Sequence, residues 1–365
     1  MKRVLFAVND LSKSDESRVL VDIVKRFHTK YDITILSLYC DNDYTHDLNG
    51  IKTVYITNRS KNSIERKITR FGLFFHSKKQ FYYNYFIKDK YDVVIAFNEK
   101  EITWILSYEK KARKIAWIHS DIEEMIGSKK RSRVIQKINR RAYKTFDELV
   151  FTSNYNYDRF YQLFDDIKIS GRVIYNYIDI KSVKTKAFIM KAPDIKKDMI
   201  SFLQISPLEE NSAIDRLISV HKRLIEEGYP HRIYILGKGS LKNELKSLIK
   251  KEKLEDTFVL LGDKPNPFIY IKSADYILHA TKKDGYRMCL IDAQMLSKFI
   301  IVTDTDARET IIGYNHTKLV FNKEESIYEG LKEIITTKPK VYEENHFTND
   351  NVLYEIIDVI EGKQE

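Results

Sequence analysis

Two aspartates, Asp284 and Asp292, lie eight residues apart in the stretch KKDGYRMCLIDA, residues 282–293. An apolar run at 274–280 precedes them and reads as a buried strand. Residues 287–297 read as a helix. Asp284, Gly285 and Tyr286 therefore fall on a strand-to-helix turn. Such a turn presents backbone N–H groups at the positive end of a helix dipole, which suits a phosphate. The spacing exceeds one helical turn, so one carboxylate sits on the loop and the other inside the helix. Placed that way, the two can flank a ligand.

The elements that must position this stretch are legible around it. Residues 199–205 read as a strand ended by Ser206-Pro207, and 214–225 as an amphipathic helix. A strand at 232–236 is followed by the turn Gly237-Lys238-Gly239 and a helix at 241–254. A strand at 258–261 ends in Gly262, residues 265–271 lead into the run at 274–280, and a strand at 300–302 runs into TDTDARET, residues 303–310. Helical patterns follow at 327–335 and 352–360. In the first half, apolar runs at 4–8, 33–38, 54–56, 93–97, 115–118 and 149–152 alternate with helical spacing, as at 18–27. That alternation predicts a parallel sheet with helices on both faces. Ligands of such sheets bind beyond the carboxyl ends of the strands. His119 stands at such an end, followed by Ser120 and Asp121.

With 365 residues, the chain has room for two ordinary domains. No apolar run approaches the roughly 20 residues that span a bilayer. The opening MKRVLFAVND is too short for a signal peptide and reads as a first strand. Two cysteines, Cys40 and Cys289, make no disulfide framework, which points to a reducing, cytoplasmic setting. The net charge of +10 is lopsided: residues 1–180 hold 33 basic against 23 acidic side chains, and residues 181–365 hold 29 of each. The first half thus predicts an anionic partner surface. Residues 59–88 carry eight basic side chains, one acid and nine interleaved aromatic or leucine residues; residues 125–146 carry eight basic side chains and no acid. Basic and aromatic residues together suit an anionic membrane interface. No zinc-finger spacing, aromatic RNA-binding signature or glycine-rich clamp accompanies them, so nucleic acid is not an expected partner.

The acidic pair, the Gly237–Gly239 turn, the strand ending in Gly262 and the TDTDARET stretch come in an order that resembles the donor domain of retaining family-4 glycosyltransferases. VIYNYID, residues 173–179, resembles the stretch that closes their first domain. The resemblance implies an α/β GT-B fold: two Rossmann-like domains with a cleft between them and a C-terminal helix crossing back to the first. The expected boundaries are 1–180 for a basic acceptor domain, 181–198 for a Lys-rich linker, 199–341 for a nucleotide-sugar domain, and 342–365 for the returning segment. By the same resemblance Asp292 holds the donor's ribose or sugar, Asp284 takes a sugar hydroxyl, and His119 faces the sugar. Gly237, Gly239, Gly285 and the backbone of Tyr286, Arg287, Met288 and Cys289 approach the diphosphate. The donor is expected to be a nucleotide-diphosphate sugar, UDP-linked, used with retention and without a metal or other cofactor. The acceptor is expected to be a lipid-linked or polymeric envelope glycan, met by an enzyme peripheral to the inner face of the cell membrane.

Three departures from the family pattern stand beside the resemblance. The first turn, residues 9–17, has no glycine. Both acids are Asp where Glu is usual. The cations that usually neutralise the leaving diphosphate are replaced, with Gln204 near the Arg position and Glu209 or Glu210 near the Lys position. Arg287 is the best-placed substitute. These departures also fit an alternative: a non-catalytic relative that binds an acceptor or another glycosyltransferase.

Overall fold

The computed structural model describes residues 1–57, 67, 71–73, 75, 80, 83, 84, 87, 90–120, 132–341 and 349–363. The chain forms two compact units, Met1–Ile178 with Asn349–Glu365, and Asp179–Thr348.

In the first unit the strands β1 (Arg3–Val8), β2 (Asp32–Ser37), β3 (Lys52–Tyr55), β4 (Val93–Ala96), β5 (Arg113–Ile118), β6 (Glu148–Phe151) and β7 (Gly171–Val173) form one parallel sheet. Their order is β3-β2-β1-β4-β5-β6-β7. Strands such as β1 are buried along almost their whole length, which is why they read as continuous apolar runs rather than as alternations. Helix α1 (Asp15–Phe27) begins where the Ser14 side chain accepts the Ser17 N–H at 3.1 Å. It has acids in its first turn and bases in its last, and it buries Val19, Leu20, Ile23, Val24 and Phe27. Helices α2 (Glu101–Leu106), α3 (Ser132–Tyr143) and α4 (Asn154–Leu163) complete the described part of this unit before residue 178. Trp104 and Trp117 are fully buried, and the Trp104 indole donates to Asn139 Oδ1 of α3 at 2.6 Å.

The second unit repeats the plan. It contains α5 (Ile180–Phe188), β8 (Ile200–Ile205), α6 (Ile214–Glu226), β9 (His231–Leu236), α7 (Lys242–Lys251), β10 (Phe258–Gly262) and α8 (Phe268–Ser273). There follow β11 (Tyr276–His279), α9 (Met288–Met295), β12 (Phe299–Thr303), β13 (Thr317–Val320) and α10 (Glu324–Thr337). The six parallel strands run β10-β9-β8-β11-β12-β13. In both sheets the chain starts at a central strand, builds outward on one side, then crosses to the other. The strand order reverses between β1 and β4 in one unit and between β8 and β11 in the other. Such switch points open a crevice at the carboxyl ends of the strands.

Residues 181–198 do not act as a linker. Asp179 caps α5 by accepting the Ser182 N–H at 3.1 Å, and α5 buries Val183 and Ala187. Beyond the helix, Ala192 N–H bonds Ser273 Oγ at 3.0 Å and Lys196 N–H bonds the Tyr234 hydroxyl at 3.0 Å. The unit therefore begins at residue 179. Lysines at 181, 184 and 186 obscure the i,i+4 apolar pair that seats this helix. At the other end, α11 (Asp350–Glu361) groups with the first unit. Glu361 receives Lys2 Nζ at 2.6 Å and the Tyr31 hydroxyl at 2.9 Å, while Ile356, Val359 and Ile360 are buried.

Candidate functional site

In the second unit, β11 ends at His279 and a loop leads to α9. That loop is pinned at three points. The Ala280 N–H donates to Gln204 Oε1 at 3.0 Å, and Arg216 of α6 donates to the Ala280 carbonyl at 3.1 Å. The Lys282 N–H reaches the Asn211 carbonyl at 2.9 Å, and the Asn322 amide reaches the Lys282 carbonyl at 2.7 Å. At the helix entry, the Arg287 N–H donates to Thr310 Oγ1 at 3.0 Å. The Thr310 carbonyl accepts the Gln294 amide of α9 at 2.7 Å. Thr310 closes the TDTDARET stretch, whose role is thus to brace both the loop and the helix.

Asp284 lies inside this bracing with a side chain only 4% exposed. Its Oδ1 accepts the Gly285 N–H at 3.1 Å and both Nε and Nη2 of Arg287. Its Oδ2 lies 3.0 Å from Nε2 of the buried His279, within ion-pair distance though without hydrogen-bond alignment. Burial pushes the carboxyl's pKa up, but His279 and the Arg287 guanidinium outweigh it and hold the group below the usual carboxylate range. In this structure Asp284, expected to take a sugar hydroxyl, faces a histidine and an arginine.

Asp292 sits on α9 and is also buried. Cys289, one turn earlier, points its thiol at the Ile205 carbonyl at the end of β8, 3.8 Å away. That contact places the start of α9 over the switch point between β8 and β11. Met288 is a core side chain, and Tyr286 is half-buried. Gly285 has an ordinary φ and open space where a Cβ would stand.

Gln204, expected near the diphosphate, is fully buried. Its amide nitrogen reaches Ser206 Oγ at 3.1 Å and the Ser212 carbonyl at 3.4 Å, and its oxygen holds Ala280. It ties β8 to the end of β11. Gly237 and Gly239 are required by packing: a Cβ on the first would lie 2.0 Å from the Ser206 carbonyl oxygen, and on the second 2.4 Å from that of Leu208. Glu209 is exposed, and its carboxylate accepts the Ser240 N–H and hydroxyl at 2.7 Å each, which keeps its pKa low. An acid therefore covers the turn where the family pattern has a cation nearby.

In the first unit, Asn9 follows β1, Asn98 and Glu99 stand just beyond β4, and His119 follows β5. The turn after β1 needs no glycine: no residue from 9 to 17 has a positive φ. Asp10 Oδ1 accepts the Ser12 N–H at 3.1 Å, and the Asn9 N–H donates to Asn98 Oδ1 at 3.0 Å. Buried Glu99 accepts the His119 N–H at 2.5 Å and the Ser120 N–H at 2.8 Å, and the Asn156 amide holds the His119 carbonyl at 3.1 Å. The His119 ring stands 4.6 Å from that of Phe97. Its Nε2 and the Asn9 Oδ1 are buried without a protein partner. Burial lowers the imidazole's pKa, against the opposing pull of Glu99 and Glu16.

Residues 185–348 match the family model described as "Glycosyl transferases group 1". That match falls within the second unit. The chain is 27% identical over 213 residues to an uncharacterized glycosyltransferase of Methanocaldococcus jannaschii, covering 57% of this chain and 52% of that one. It is 28% identical over 197 residues to a Campylobacter jejuni N-acetylgalactosaminyltransferase, named for a diphospho-undecaprenol-linked substrate, covering 53% and 52%. The chain thus spans about half the length of the curated relatives it matches. Over 99% of its length it superposes on all of HepE from Anabaena, solved with UDP and glucose, with a TM-score of 0.74 at 14% identity. The fold is GT-B.

Within the second unit, the switch point combines two buried acids, a half-exposed guanidinium and a strand-to-helix turn. That set can bind an anion beside hydroxyl groups. His279, Arg216 and Thr310 were not singled out from the sequence, nor was Glu99 in the first unit. A histidine inside the apolar run at 274–280 and an acid two residues after the run at 93–97 were the available signals. Among the described residues, no three His, Cys, Asp or Glu side chains cluster so as to hold a metal.

Proposed function

We propose that this chain is a glycosyltransferase that takes a sugar from a nucleotide-diphosphate sugar, UDP-linked, and delivers it with retention to a lipid-linked or polymeric envelope glycan. The observation that carries this reading is the placement of buried Asp292 and the pinned turn at the β8/β11 switch point, within the segment that matches the group 1 model. Asp292 holds the donor through a hydroxyl, and the unpartnered Nε2 of His119 bonds the sugar. In the reaction the bond between the anomeric carbon and the diphosphate oxygen breaks, and the departing diphosphate keeps the electron pair. The acceptor oxygen bonds the same face of that carbon, and its proton passes to the diphosphate.

The acceptor reading draws on the Campylobacter relative and on the basic first unit. On α3, Arg133, Lys137 and Arg141 are exposed together with Val134, while Asn139, Ala142 and Tyr143 turn inward. Phe71 and Phe75 are also exposed and meet edge to face at 5.7 Å. Most of the rest of 59–88, and residues 125–131, lie outside the described residues. These features support contact with an anionic membrane from its cytoplasmic side, where each basic residue contributes about 1 kcal/mol. No described helix is long and apolar enough to cross a membrane. Sedimentation with anionic vesicles should fall as salt rises; equal sedimentation with neutral vesicles would remove the electrostatic reading.

Glu209 favours a second reading, a non-catalytic partner of another glycosyltransferase, because its carboxylate stands where a leaving diphosphate calls for a cation. One screen separates the two. Thermal shifts are measured with UDP, GDP, ADP, CMP and their sugar conjugates. A ligand at 100 times its Kd raises stability by about 2.7 kcal/mol. A shift with UDP-sugars followed by turnover supports the transferase; a folded protein shifted by none of them supports the partner.

A further inference from the structure

The carboxylate of Asp284 is engaged on both oxygens. Oδ1 receives Arg287 and the Gly285 N–H, while Oδ2 faces His279. Only 4% of its side chain is exposed, whereas 40% of the Arg287 side chain is. The direction of support is therefore from the interior outward: buried His279 backs Asp284, and Asp284 grips Arg287 through two nitrogens. The Arg287 main chain is held separately by Thr310, so neither end of the residue is left to wander. A guanidinium held at two nitrogens has one rigid orientation, unlike a lysine ammonium on a flexible stem. It also stands at the first turn of α9, where the helix dipole disfavours a cation unless an anion accompanies it.

We infer that Asp284 does not contact the sugar but is a positioning residue: a His279–Asp284–Arg287 clamp aims the Arg287 guanidinium at the diphosphate of a nucleoside diphosphate. This rests on the glycosyltransferase reading and specifies which groups of that site meet the phosphates. The clamp supplies a fixed cation to a site in which Gln204 is buried as a strand tie and Glu209 binds Ser240. The shorter Asp side chain is part of the device. Three residues from Arg287 and within reach of His279, it forms the pair inside the loop.

The test uses the full chain, with calorimetric titration of UDP and of uridine. Arg287→Gln should weaken UDP about 10- to 100-fold, the worth of a charge-assisted contact, and leave uridine unchanged. Asp284→Asn should lose UDP affinity to within threefold of that, again without touching uridine. The double variant should lose no more than either single one, because the two act as a unit. Arg287→Lys, which keeps the charge and loses the two-nitrogen grip, should fall between wild type and Arg287→Gln. His279→Leu should show a smaller loss in the same direction. Losses that add in the double variant would overturn the clamp, as would an Asp284→Asn protein with full UDP affinity and lowered turnover, which returns Asp284 to the sugar. If Asp284→Asn does not fold, unchanged UDP affinity in Arg287→Gln overturns it alone. A folded wild type that binds none of UDP, GDP or ADP instead defeats the underlying transferase reading.

Discussion

The two switch-point crevices share a topology and differ in what holds their acid. At β1/β4, Glu99 accepts backbone N–H groups from His119 and Ser120. At β8/β11, Asp284 meets side chains, His279 and Arg287. The first arrangement shapes a loop and leaves buried, unpartnered neutral groups, Asn9 Oδ1 and His119 Nε2, in the crevice. Such orphans are uncommon and cost about 1–3 kcal/mol each unless a ligand satisfies them. The second arrangement also has unpartnered atoms, Thr281 Oγ1 and His279 Nδ1, but sets a guanidinium beside them. On the proposed function, one crevice suits hydroxyl groups and the other an anion. The same fold thus acquires different chemistry from the partner its acid takes.

The largest expected effects probe that division directly. Asp292→Asn should abolish measurable sugar-nucleotide binding and lower kcat/KM by about 10²–10³. His119→Ala should lower kcat by about 10²-fold while leaving UDP affinity unchanged, because the proposed function has its crevice read the sugar. If His119→Ala weakens UDP as much as it slows turnover, the hydroxyl-versus-anion division is wrong. Kinetics with parallel calorimetry separate the two outcomes.

The units should also differ in their response to acid. In the second unit His231 Nδ1 bonds the Tyr229 carbonyl at 2.8 Å, His221 bonds His231 at 2.8 Å, and the far side of His221 bonds the Thr257 hydroxyl at 2.9 Å. Both rings are buried and neutral. Burial lowers the pKa of His221 to about 2, with His231 adding to the shift, and that of His231 to about 4. Since the folded values lie below the unfolded one near 6.5, the unfolded chain binds protons first. Stability from this pair is complete above about pH 6.5 and is lost as pH falls toward the folded values, at up to about 1.4 kcal/mol per pH unit for each imidazole. The chain's two tryptophans, Trp104 and Trp117, both lie in the first unit, so fluorescence reports that unit alone. Between pH 7 and 5 the urea transition seen by circular dichroism should move further than the one seen by fluorescence. His221→Leu with His231→Phe should shrink the movement seen by circular dichroism, while the movement that buried His119 gives the first unit stays in the fluorescence. Identical movement of both transitions in the wild type would remove the histidine pair as the cause.

The sheets were legible because their strands are apolar runs of the right length, and the acidic turn because an unusual polar pattern interrupts them. What escaped was short or unperiodic. β7 has three residues and β13 four, α8 six, and α5 hides its apolar pair among lysines. At the site, residue types and approximate places were readable, but partners were not. Nothing in KKDGYRMCLIDA says that Asp284 turns inward to His279, five residues back across a strand end. Gln204 is expected near the diphosphate because position in the chain cannot show that its amide is already bonded to the end of the neighbouring strand.

The turns beneath the crevices should break in different ways. In the second unit Gly237→Ala forces a Cβ against the Ser206 carbonyl, which is backbone and cannot yield cheaply. A loss of about 2–3 kcal/mol is expected, read as a lower urea midpoint in circular dichroism. In the first unit Asp10→Ala removes side-chain bonds to Ser12 and should cost about 1 kcal/mol. A larger loss at Asp10 would mean that its turn carries load beyond its local hydrogen bonds.

The smallest effect should be a gain. Lys100 follows Glu99 and caps α2 with φ 64° and ψ −109°, a conformation that suits glycine and strains a side chain. The strain sits next to the acid that shapes the His119 loop, whereas Asp284, Gly285 and Arg287 at the other crevice show no positive φ. Lys100→Gly relieves that strain and gives back part of the gain as extra freedom in the unfolded chain. A net rise of about 0.5–1 kcal/mol is expected, visible as a higher urea midpoint in tryptophan fluorescence. Turnover reports on purpose: a stabilised variant with unchanged kcat makes the strained turn incidental, whereas a stabilised variant with reduced kcat shows that the twist at residue 100 is what presents Glu99 to the amides of His119 and Ser120.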